Sequence, residues 1–564
     1  MSTKSRNISK ILNEHHLKQH IKSPTRITNN SATLIDHIIT NIDENIITSG
    51  TIPLDLSDHH GIYAQINWKQ SQPEPTEIEI WDFQNADYDK LRERYRNEEW
   101  DTIIDDIHDI DNIYEKLINT LLCKARECVK IKRFKSRPSD APWYTPELRL
   151  LRRKTQRKRK LAQKKNTPTQ WAEYRALRNK LTCEIRKAKR DYPNKIAFEL
   201  KKKTNEPKTW WKTVNLLLKG KNAQSLPPLL NKDGTLITDV KDKANILNNF
   251  FAEQTYINDE NLPTPRLPKL TENIVDLEKV TEQEVYDQLK SLNKNKAKGP
   301  DNIPPCLLKE CANELKYPLT KLFNITLKSG HLPKMWKSAY VTPIHKKEEK
   351  ENPENYRPIS LTSCLCKILE KILFKYIHNH CKDNNLLSSH QSGFTPGDNT
   401  INQLCTLYHS ICKAIDNGKE LRAVFLDISK AFDKVWTRGL LAKLKSFGIG
   451  KSLFNWISDY LSNRKQRVFL DGQYSEWANI RAGVPQGSVL GPLLFLLYID
   501  DITHNIYSNI RLFADDTMIY AEVDNPVVTS ELINRDLETI KTWSDKWLVN
   551  FSPEKTKTII FSTK

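Results

Sequence analysis

Short apolar runs broken by turn residues alternate with helical stripes along much of this chain. Ile510 to Phe513 and Met518 to Tyr520 are two runs of strand character on either side of Ala514-Asp515-Asp516-Thr517, which predicts a β-hairpin with carboxylates at its turn. Ala423 to Leu426 is a third run, ending at Asp427, and Gln466 to Leu470 a further strand. Helical spacing appears elsewhere. Thr281 to Leu292 carries Val285, Leu289 and Leu292 on one face, with Thr281 and Glu284 placed for a capping box. Leu307 to Leu327 reads as mostly helical, and Leu361 to Cys381 as a long helix with Leu365, Ile368, Leu369, Ile372 and Ile377 inward. Leu440 to Leu461 reads as a helical insertion. Nearer the start, Trp171, Tyr174, Leu177, Leu181, Ile185 and Ala188 form one stripe on a helix, while Ile62, Ala64, Ile66 and Trp68 alternate as in a strand. Pro138, Pro142 and Pro146 mark one hinge and Pro227-Pro228 another, and the proline-rich Leu262 to Leu270 reads as a linker. Helices mixed with an antiparallel core predict an α+β fold.

The carboxylates suggest chemistry. Neighbouring side chains of a regular strand face opposite ways, so Asp515 and Asp516 can share a site only at a turn. Asp427, at the end of an adjacent strand, could complete that site. Magnesium prefers oxygen ligands, and two such ions can hold the attacking and leaving oxygens of a phosphoryl displacement. Asp-Asp pairs are also ordinary turn residues, and Asp105-Asp106 and Asp500-Asp501 are two more in this chain. What sets Asp515-Asp516 apart is its place after Asp427 and after the glycine-rich segment Pro485-Gln486-Gly487-Ser488-Val489-Leu490-Gly491-Pro492.

Asp427 to Trp436 (DISKAFDKVW), Gln486 to Pro492 (QGSVLGP), Tyr498 to Asp501, Phe513 to Asp516 (FADD) and Phe551 to Thr556 (FSPEKT) resemble the palm motifs of reverse transcriptases from non-LTR retrotransposons of the jockey, CR1 and RTE sort. Lys298 to Asp301, Val341 to Lys346 (VTPIHK) and Asn355 to Leu361 (NYRPISL) resemble the finger motifs of that family, so the likeness spans about residues 280 to 564. The resemblance implies a right-hand polymerase with fingers and palm, acting on an RNA template, a DNA primer or target, and deoxynucleoside triphosphates. It implies Asp427, Asp515 and Asp516 as ligands of two Mg2+ ions, with Mn2+ able to substitute, and the Ile428 carbonyl as an extra ligand. It makes Phe432 the aromatic steric gate against a 2′-hydroxyl, for which core packing is the plain alternative. It sets Gln486 and Gly487 against the incoming nucleotide and template base, and Arg357 and Lys346 on the triphosphate. Lys555 is implied as the acid that protonates pyrophosphate. For Lys346, one lysine among many, a solvated surface role is the default.

Ser31 to Ile38 (SATLIDHI) and Ser57-Asp58-His59-His60 resemble the last two motifs of the exonuclease–endonuclease–phosphatase family. The likeness implies that Asp36 orients His59, a base for activating water, and that Asp58 lies near a metal. Gly61 stands where the family usually has proline, and some seventy residues are too few for the whole enzyme, so this segment reads as a remnant, a poorly packed β fragment that does not cut DNA alone. The expected organisation is therefore an endonuclease remnant over 1–70, a basic helical region over 71–225, an extension of the fingers over 226–330 and the polymerase over 331–564. Lys564 follows directly on the Lys555 motif, which places a helical thumb outside the sequence and suggests a truncated copy.

Charge agrees with this picture. Lys and Arg number 88 against 69 Asp and Glu, a net +19, which favours a polyanionic partner. Arg149 to Lys165 holds ten Lys or Arg and no acid, so its outer face points to a nucleic-acid backbone as readily as to water. Trp210-Trp211 is expected as a packing anchor rather than a base-stacking platform. No apolar run reaches the length of a membrane span, no secretory signal opens the chain, and ten cysteines lie without zinc spacing. An intracellular protein with no membrane partner, nuclear by the resemblance, is expected. Two rivals stand beside the polymerase: a group II intron-like maturase, and an inactive nucleic-acid-binding relic.

Overall fold

A computed structural model of the chain describes residues 12, 17–28, 31–40, 46–53, 59–66, 77–104, 109–135, 143–202, 210–211, 214, 226–260, 262–346 and 348–563. Two compact units are separated: Met1–Glu77 with Lys135–Arg137, and Ile78–Phe134 with Pro138–Lys564. The first holds two-stranded pieces, the longest pairing β1 (Ile46–Ile52) with β2 (Gly61–Ile66) antiparallel. Among its described residues only Ile21 and Thr25 are buried, while Ile27, Ile35, Ile39 and Ile52 stay exposed. So little apolar burial leaves this unit marginal by itself.

After a helix over Tyr88–Arg96 and a short one over Trp100–Ile103, the second unit has α1 (Ile110–Cys128) and a pair of long helices, α2 (Pro146–Lys165) and α3 (Pro168–Lys202). Thr145 caps α2, Pro146 takes its first position, and Asn166 ends it in the left-handed conformation before α3 turns back along it. Leu148, Thr155 and Ala162 are the buried positions of α2, and Trp171, Tyr174, Leu177, Leu181, Ile185 and Ala188 are the half-buried stripe of α3.

Further along lie α4 (Val240–Gln254), α5 (Glu282–Ser291) and α6 (Ala312–Ser329). The capping box at Thr281 and Glu284 is formed in full. The expected linker over 262–270 is instead an extended strap: Leu270 N donates to Ser446 O at 2.9 Å, Ser446 Oγ to Pro268 O at 2.5 Å, and Leu267 packs on the core. Prolines remove backbone donors but leave carbonyls free to accept, which suits a strap fastened by side chains.

Two sheets follow. One contains β3 (Ser338–His345) and β4 (Tyr356–Leu361), after which come α7 (Cys364–Asp383) and α8 (Thr400–Asp416). The helix expected from Leu361 starts three residues later, because Ser363 Oγ accepts from Leu365 N and Cys366 N and so fixes the N-cap. Its five predicted inward residues are all buried. After β5 (Glu420–Asp427), the insertion expected over 440–461 is two helices, α9 (Thr437–Ser446) and α10 (Lys451–Leu461), separated at Gly448, whose φ of +75° a helix cannot hold. Then come β6 (Arg464–Leu470), β7 (Gln473–Tyr474), β8 (Ala478–Ile480) and the apolar helix α11 (Leu490–Ile499). The chain closes with β9 (Asn509–Phe513), β10 (Asp516–Val523), α12 (Pro526–Trp547) and β11 (Lys557–Phe561).

The five-stranded sheet runs β4-β3-β6-β7, with β8 also on β6, and α4 covers one of its faces through Leu247, Phe251, Val341, Tyr356, Val468 and Leu470. The four-stranded sheet runs β9-β10-β5-β11, all antiparallel neighbours. One face of it joins the main core with α7, α9, α10, α11 and α12; the other meets α8 through Leu407, Ala414, Leu421, Ala423, Met518 and Tyr520. Mixed helix and antiparallel sheet make this an α+β protein. Among the described residues no helix is long and apolar enough to cross a membrane. Trp210 and Trp211 meet edge to face at 4.9 Å, but Trp211 is 58% exposed, so as a packing anchor it falls short of expectation.

Beneath the four-stranded sheet a buried ammonium ties three elements together. Lys443 Nζ on α9 donates to Asp501 Oδ1 at 2.5 Å and to the Tyr498 carbonyl, and lies 3.8 Å from the Trp547 ring centroid. Trp543 Nε1 donates to the same Asp501 oxygen at 2.6 Å. Burial pushes the Lys443 pKa down to about 8. Removing either partner of such a pair strands the other charge, whereas replacing both by apolar side chains of similar volume is tolerated. Asp501→Ala should therefore lower the urea-unfolding free energy by about 3–5 kcal/mol, and the double variant Lys443→Met, Asp501→Leu should lose less than Asp501→Ala alone.

Candidate active site

Register brings the carboxylates together. Asp427, the last residue of β5, lies directly opposite Asp516, the first of β10, and Asp516 also pairs with Phe513 of β9. A two-residue turn, Ala514-Asp515, is left between β9 and β10. Asp516 thus starts a strand instead of sitting in the turn, and Asp515 alone occupies the apex. Both acids are pushed up from the ordinary carboxylate range: Asp515 by burial and then by Asp427, Asp516 by burial and then by Asp515 and Asp427. Three mutually repelling carboxylates at one sheet end are a donor set that a divalent cation would stabilise.

The FSPEKT segment is stitched to the same strand end. Ile428 forms a bridge with Phe551, Ser429 N donates to Asn550 O at 2.8 Å, and Ser552 N to Asp427 O at 2.9 Å. That fastening delivers Lys555, whose Nζ donates to Asp427 Oδ2 at 2.6 Å. Among the described residues no three carboxylate, imidazole or thiol groups enclose an ion by themselves. Magnesium is ordinarily held by one or two carboxylates plus substrate phosphates and water, so an open acidic set fits it without a closed cage.

Cations face the acids. Arg357 on β4 and Lys555 both act on Asp515. Lys346, just past β3, feels Arg357 and Lys555 on one side and Asp433 and Asp427 on the other; partial burial and then Arg357 hold its ammonium below the usual lysine range. Phe432 is half-buried, stacked on Phe495 at 4.8 Å and edge-on to Phe394 at 5.9 Å, so part of its ring packs on the core while part stays open.

Gln486 and Gly487 lie in a turn sewn to β4, with Ser360 N donating to Gln486 O at 2.8 Å. A Cβ on Gly487 would come within 2.8 Å of Ser360 O, and its φ is +106°, so glycine is required there. The Gln486 side chain is held by a residue the motif reading passed over: its Nε2 donates to both oxygens of Asp433 at 2.9 Å. Burial pushes the Asp433 carboxyl up to about 6. Its signal in sequence was a second acid six residues after Asp427, within the same DISKAFDKVW motif.

The larger omission is Gln391. This buried residue forms a parallel bridge with Leu512, while Leu512 N donates to His390 O at 2.9 Å and Ser392 N to Leu512 O at 3.0 Å. Its Oε1 accepts from Gly393 N at 2.8 Å and from Ala514 N at 2.9 Å. Ala514 has a φ of +57°, costly for a residue with a Cβ. Gly393 packs so closely that a Cβ would meet Ala514 N at 2.2 Å. Gln391 thus satisfies the amide of a strained turn residue that the hairpin ladder leaves unpaired. Nothing periodic marks it; only the glycine two residues on is a cue.

In the other unit, His59 Nδ1 and Asp36 Oδ2 lie 2.9 Å apart. Thr25 and then His59 hold Asp36 below the ordinary carboxylate range. Asp58 lies outside the described residues.

Two carboxylates in register on adjacent antiparallel strands, with a third at the intervening turn and Arg and Lys facing them, make a donor set suited to holding divalent ions against phosphate. Comparison agrees: residues 344–563 match the family described as reverse transcriptase (RNA-dependent DNA polymerase). Similar proteins include the probable RNA-directed DNA polymerase from transposon BS of Drosophila melanogaster, 32% identical over 291 residues, 50% of this chain and 32% of that protein. The RNA-directed DNA polymerase from mobile element jockey of the same species is 31% identical over 298 residues, 51% of this chain and 32% of its own length. The Pol polyprotein of retrotransposable element R2 from Popillia japonica is 29% identical over 209 residues, 35% of this chain and 29% of that protein. Over residues 344–563 the chain is thus similar to reverse transcriptases, those of retrotransposons among them, and it spans about a third of the length of these relatives.

Replacing Gln391 with Leu removes the acceptor of two amides, at roughly 1–3 kcal/mol for each group left unsatisfied. In Gln391→Leu, hydrogen exchange at Gly393 and Ala514 should accelerate by at least about tenfold, while exchange in α6 stays at the parental rate.

Proposed function

We propose that this chain copies RNA into DNA, adding deoxynucleotides from their triphosphates to a primer 3′-hydroxyl and releasing pyrophosphate. The observation that carries the reading is the in-register Asp427 and Asp516 with Asp515 at the intervening turn, beside Arg357, Lys346 and Lys555. The four-stranded sheet serves as the palm and the five-stranded sheet as the fingers.

Asp427, Asp515 and Asp516 would hold divalent ions, Mg2+ in the cell and Mn2+ as a substitute. Bound there, a metal pair lowers the pKa of the primer hydroxyl and neutralises charge on the transferring phosphoryl group. Arg357 pairs with phosphate oxygens and Lys346 adds a compact charge. Lys555 exchanges its bond to Asp427 for the pyrophosphate oxygens, which it protonates as the leaving group departs. The open side of the Phe432 ring lies under the sugar and discriminates against a 2′-hydroxyl. Gly487 lets the backbone approach the template base while Asp433 fixes the Gln486 amide.

The primer is a nick in target DNA, which sets the work in the nucleus. The antiparallel pair α2 and α3 supplies the hold on nucleic acid: residues 146–202 contain twenty Lys or Arg against five Asp or Glu, most of the chain's positive excess. Residues 1–70 represent the end of an apurinic-type endonuclease, with Asp36 orienting His59; residues 71–225 form the basic helical region, 226–330 extend the fingers, and 331–564 carry the polymerase.

Primer extension on a defined RNA template with Mg2+ and all four deoxynucleotides tests the reading. The parent should extend, and Asp515→Asn should fall by at least about a hundredfold, the scale expected for loss of a group acting on transition-state charge. Absence of extension by the parent, with hybrid binding retained and indifferent to Asp515→Asn, would instead assign a nucleic-acid-binding protein without turnover.

A further inference from the structure

The five-stranded sheet has one covered face and one open face, and strand alternation separates them cleanly. Ala339, Val341, Tyr356, Pro358, Ser360, Gln466, Val468 and Leu470 are buried on the α4 side or beneath it. The alternate positions lie on the other face: Tyr340, Thr342 and Ile344 of β3, Arg357 and Ile359 of β4, and Lys465, Arg467 and Phe469 of β6. Three of these are cations, and no strand residue on that face is a carboxylate. Glu476, beside Trp477 in the chain, is drawn to the covered side, where its backbone N–H donates to Asn245 Oδ1 at 3.0 Å and its carboxylate pairs with Lys241 at 3.1 Å.

An aromatic group is built around Arg467 on the open face. Its guanidinium lies 4.1 Å from the Tyr474 ring centroid, 4.6 Å from Trp477 and 4.8 Å from Tyr340, and it donates to Tyr340 Oη at 2.8 Å. Phe469 stands 4.8 Å from Tyr474. These rings are not core: Phe469 is 38%, Tyr474 37% and Trp477 44% exposed. Exposed rings beside cations, on strands that place no carboxylate on this face, suit a nucleic-acid strand that offers bases to stack on and phosphates to neutralise. Position points the same way. Tyr340 lies opposite Arg467 across one strand pair, and Ile344 opposite Arg357 across the other. Four residues of β3 separate the two, roughly 13 Å, about the length of four stacked nucleotides.

We propose that Trp477, Tyr474, Phe469 and Arg467 form a stacking platform for the single-stranded template a few nucleotides ahead of the carboxylates. It rests on the reading of the chain as an RNA-copying polymerase, but its test measures binding and needs no turnover. Full chain is mixed with an RNA–DNA hybrid that is either blunt or carries an eight-nucleotide 5′ RNA overhang, and the affinities are compared by fluorescence anisotropy. The parent should prefer the overhang by on the order of tenfold or more, the stacking of one or two bases. Trp477→Ala with Tyr474→Ala should erase that preference while leaving blunt-hybrid affinity unchanged, and Trp477→Phe should keep it.

A second measurement uses the unaltered protein, so misfolding cannot mimic the result. 4-Thiouridine placed singly along the overhang should photocrosslink to the segment containing residues 469–477 at about the third to fifth template position. A parent that binds both hybrids equally, or crosslinks only outside that segment, overturns the platform. Overhang preference and crosslinking without any primer extension would uphold the platform while refuting the polymerase reading.

Discussion

The register of β5 against β10, with Asp427 opposite Asp516, decides where all three carboxylates stand. Side chains on a strand alternate, so a slip of one residue would turn Asp427 toward the core and bring Leu426 out in its place. The register is held from both sides. On one face Val424, Leu426, Ile519 and Ala521 join the main core; on the other Leu421, Ala423, Met518 and Tyr520 pack under α8. Hydrophobic patterning thereby does electrostatic work, keeping like charges side by side where solvent alone would spread them. The cost appears in the raised pKa of Asp515 and Asp516, and in a turn whose first residue, Ala514, occupies the left-handed region.

Segments distant in sequence hold that arrangement. Gln391 satisfies the strained turn from one side, the 550–552 backbone ties down the end of β5, and the glycine turn at 487 is sewn to β4, which carries Arg357. Buried Glu370 on α7 contributes from beneath: its Oε2 accepts from Val489 N at 2.7 Å and Leu490 N at 3.1 Å, capping α11 directly after the glycine turn. Acids and facing cations therefore share one framework, and Lys346 and Lys555 sense both.

Much of this was legible before any coordinates. The hairpin, the strand ending at Asp427, the capping box at Thr281 and the inward face of α7 all follow from period and cap chemistry, local properties that a single sequence displays. The matched motifs also named the acids and cations now found together. Harder to read were features defined by contact. The 262–270 strap looks like a linker because proline marks both, and only the side-chain donors on distant elements distinguish them. Gln391 and Asp433 act through hydrogen bonds to residues far along the chain, 123 and 53 positions away, which no window of sequence contains. The concentration of charge in α2 and α3 was visible, but not that the two helices fold against each other through their apolar stripes.

The account turns on whether the three carboxylates act as one divalent-ion site. Electron paramagnetic resonance of Mn2+, titrated into the full chain with a primed RNA template and a matching deoxynucleoside triphosphate, reads this directly. The parent should bind about two more ions per chain than the Asp427→Asn, Asp515→Asn double variant. Equal Mn2+ binding by parent and variant would contradict the account, because the paired register would then bring carboxylates together without making a metal site.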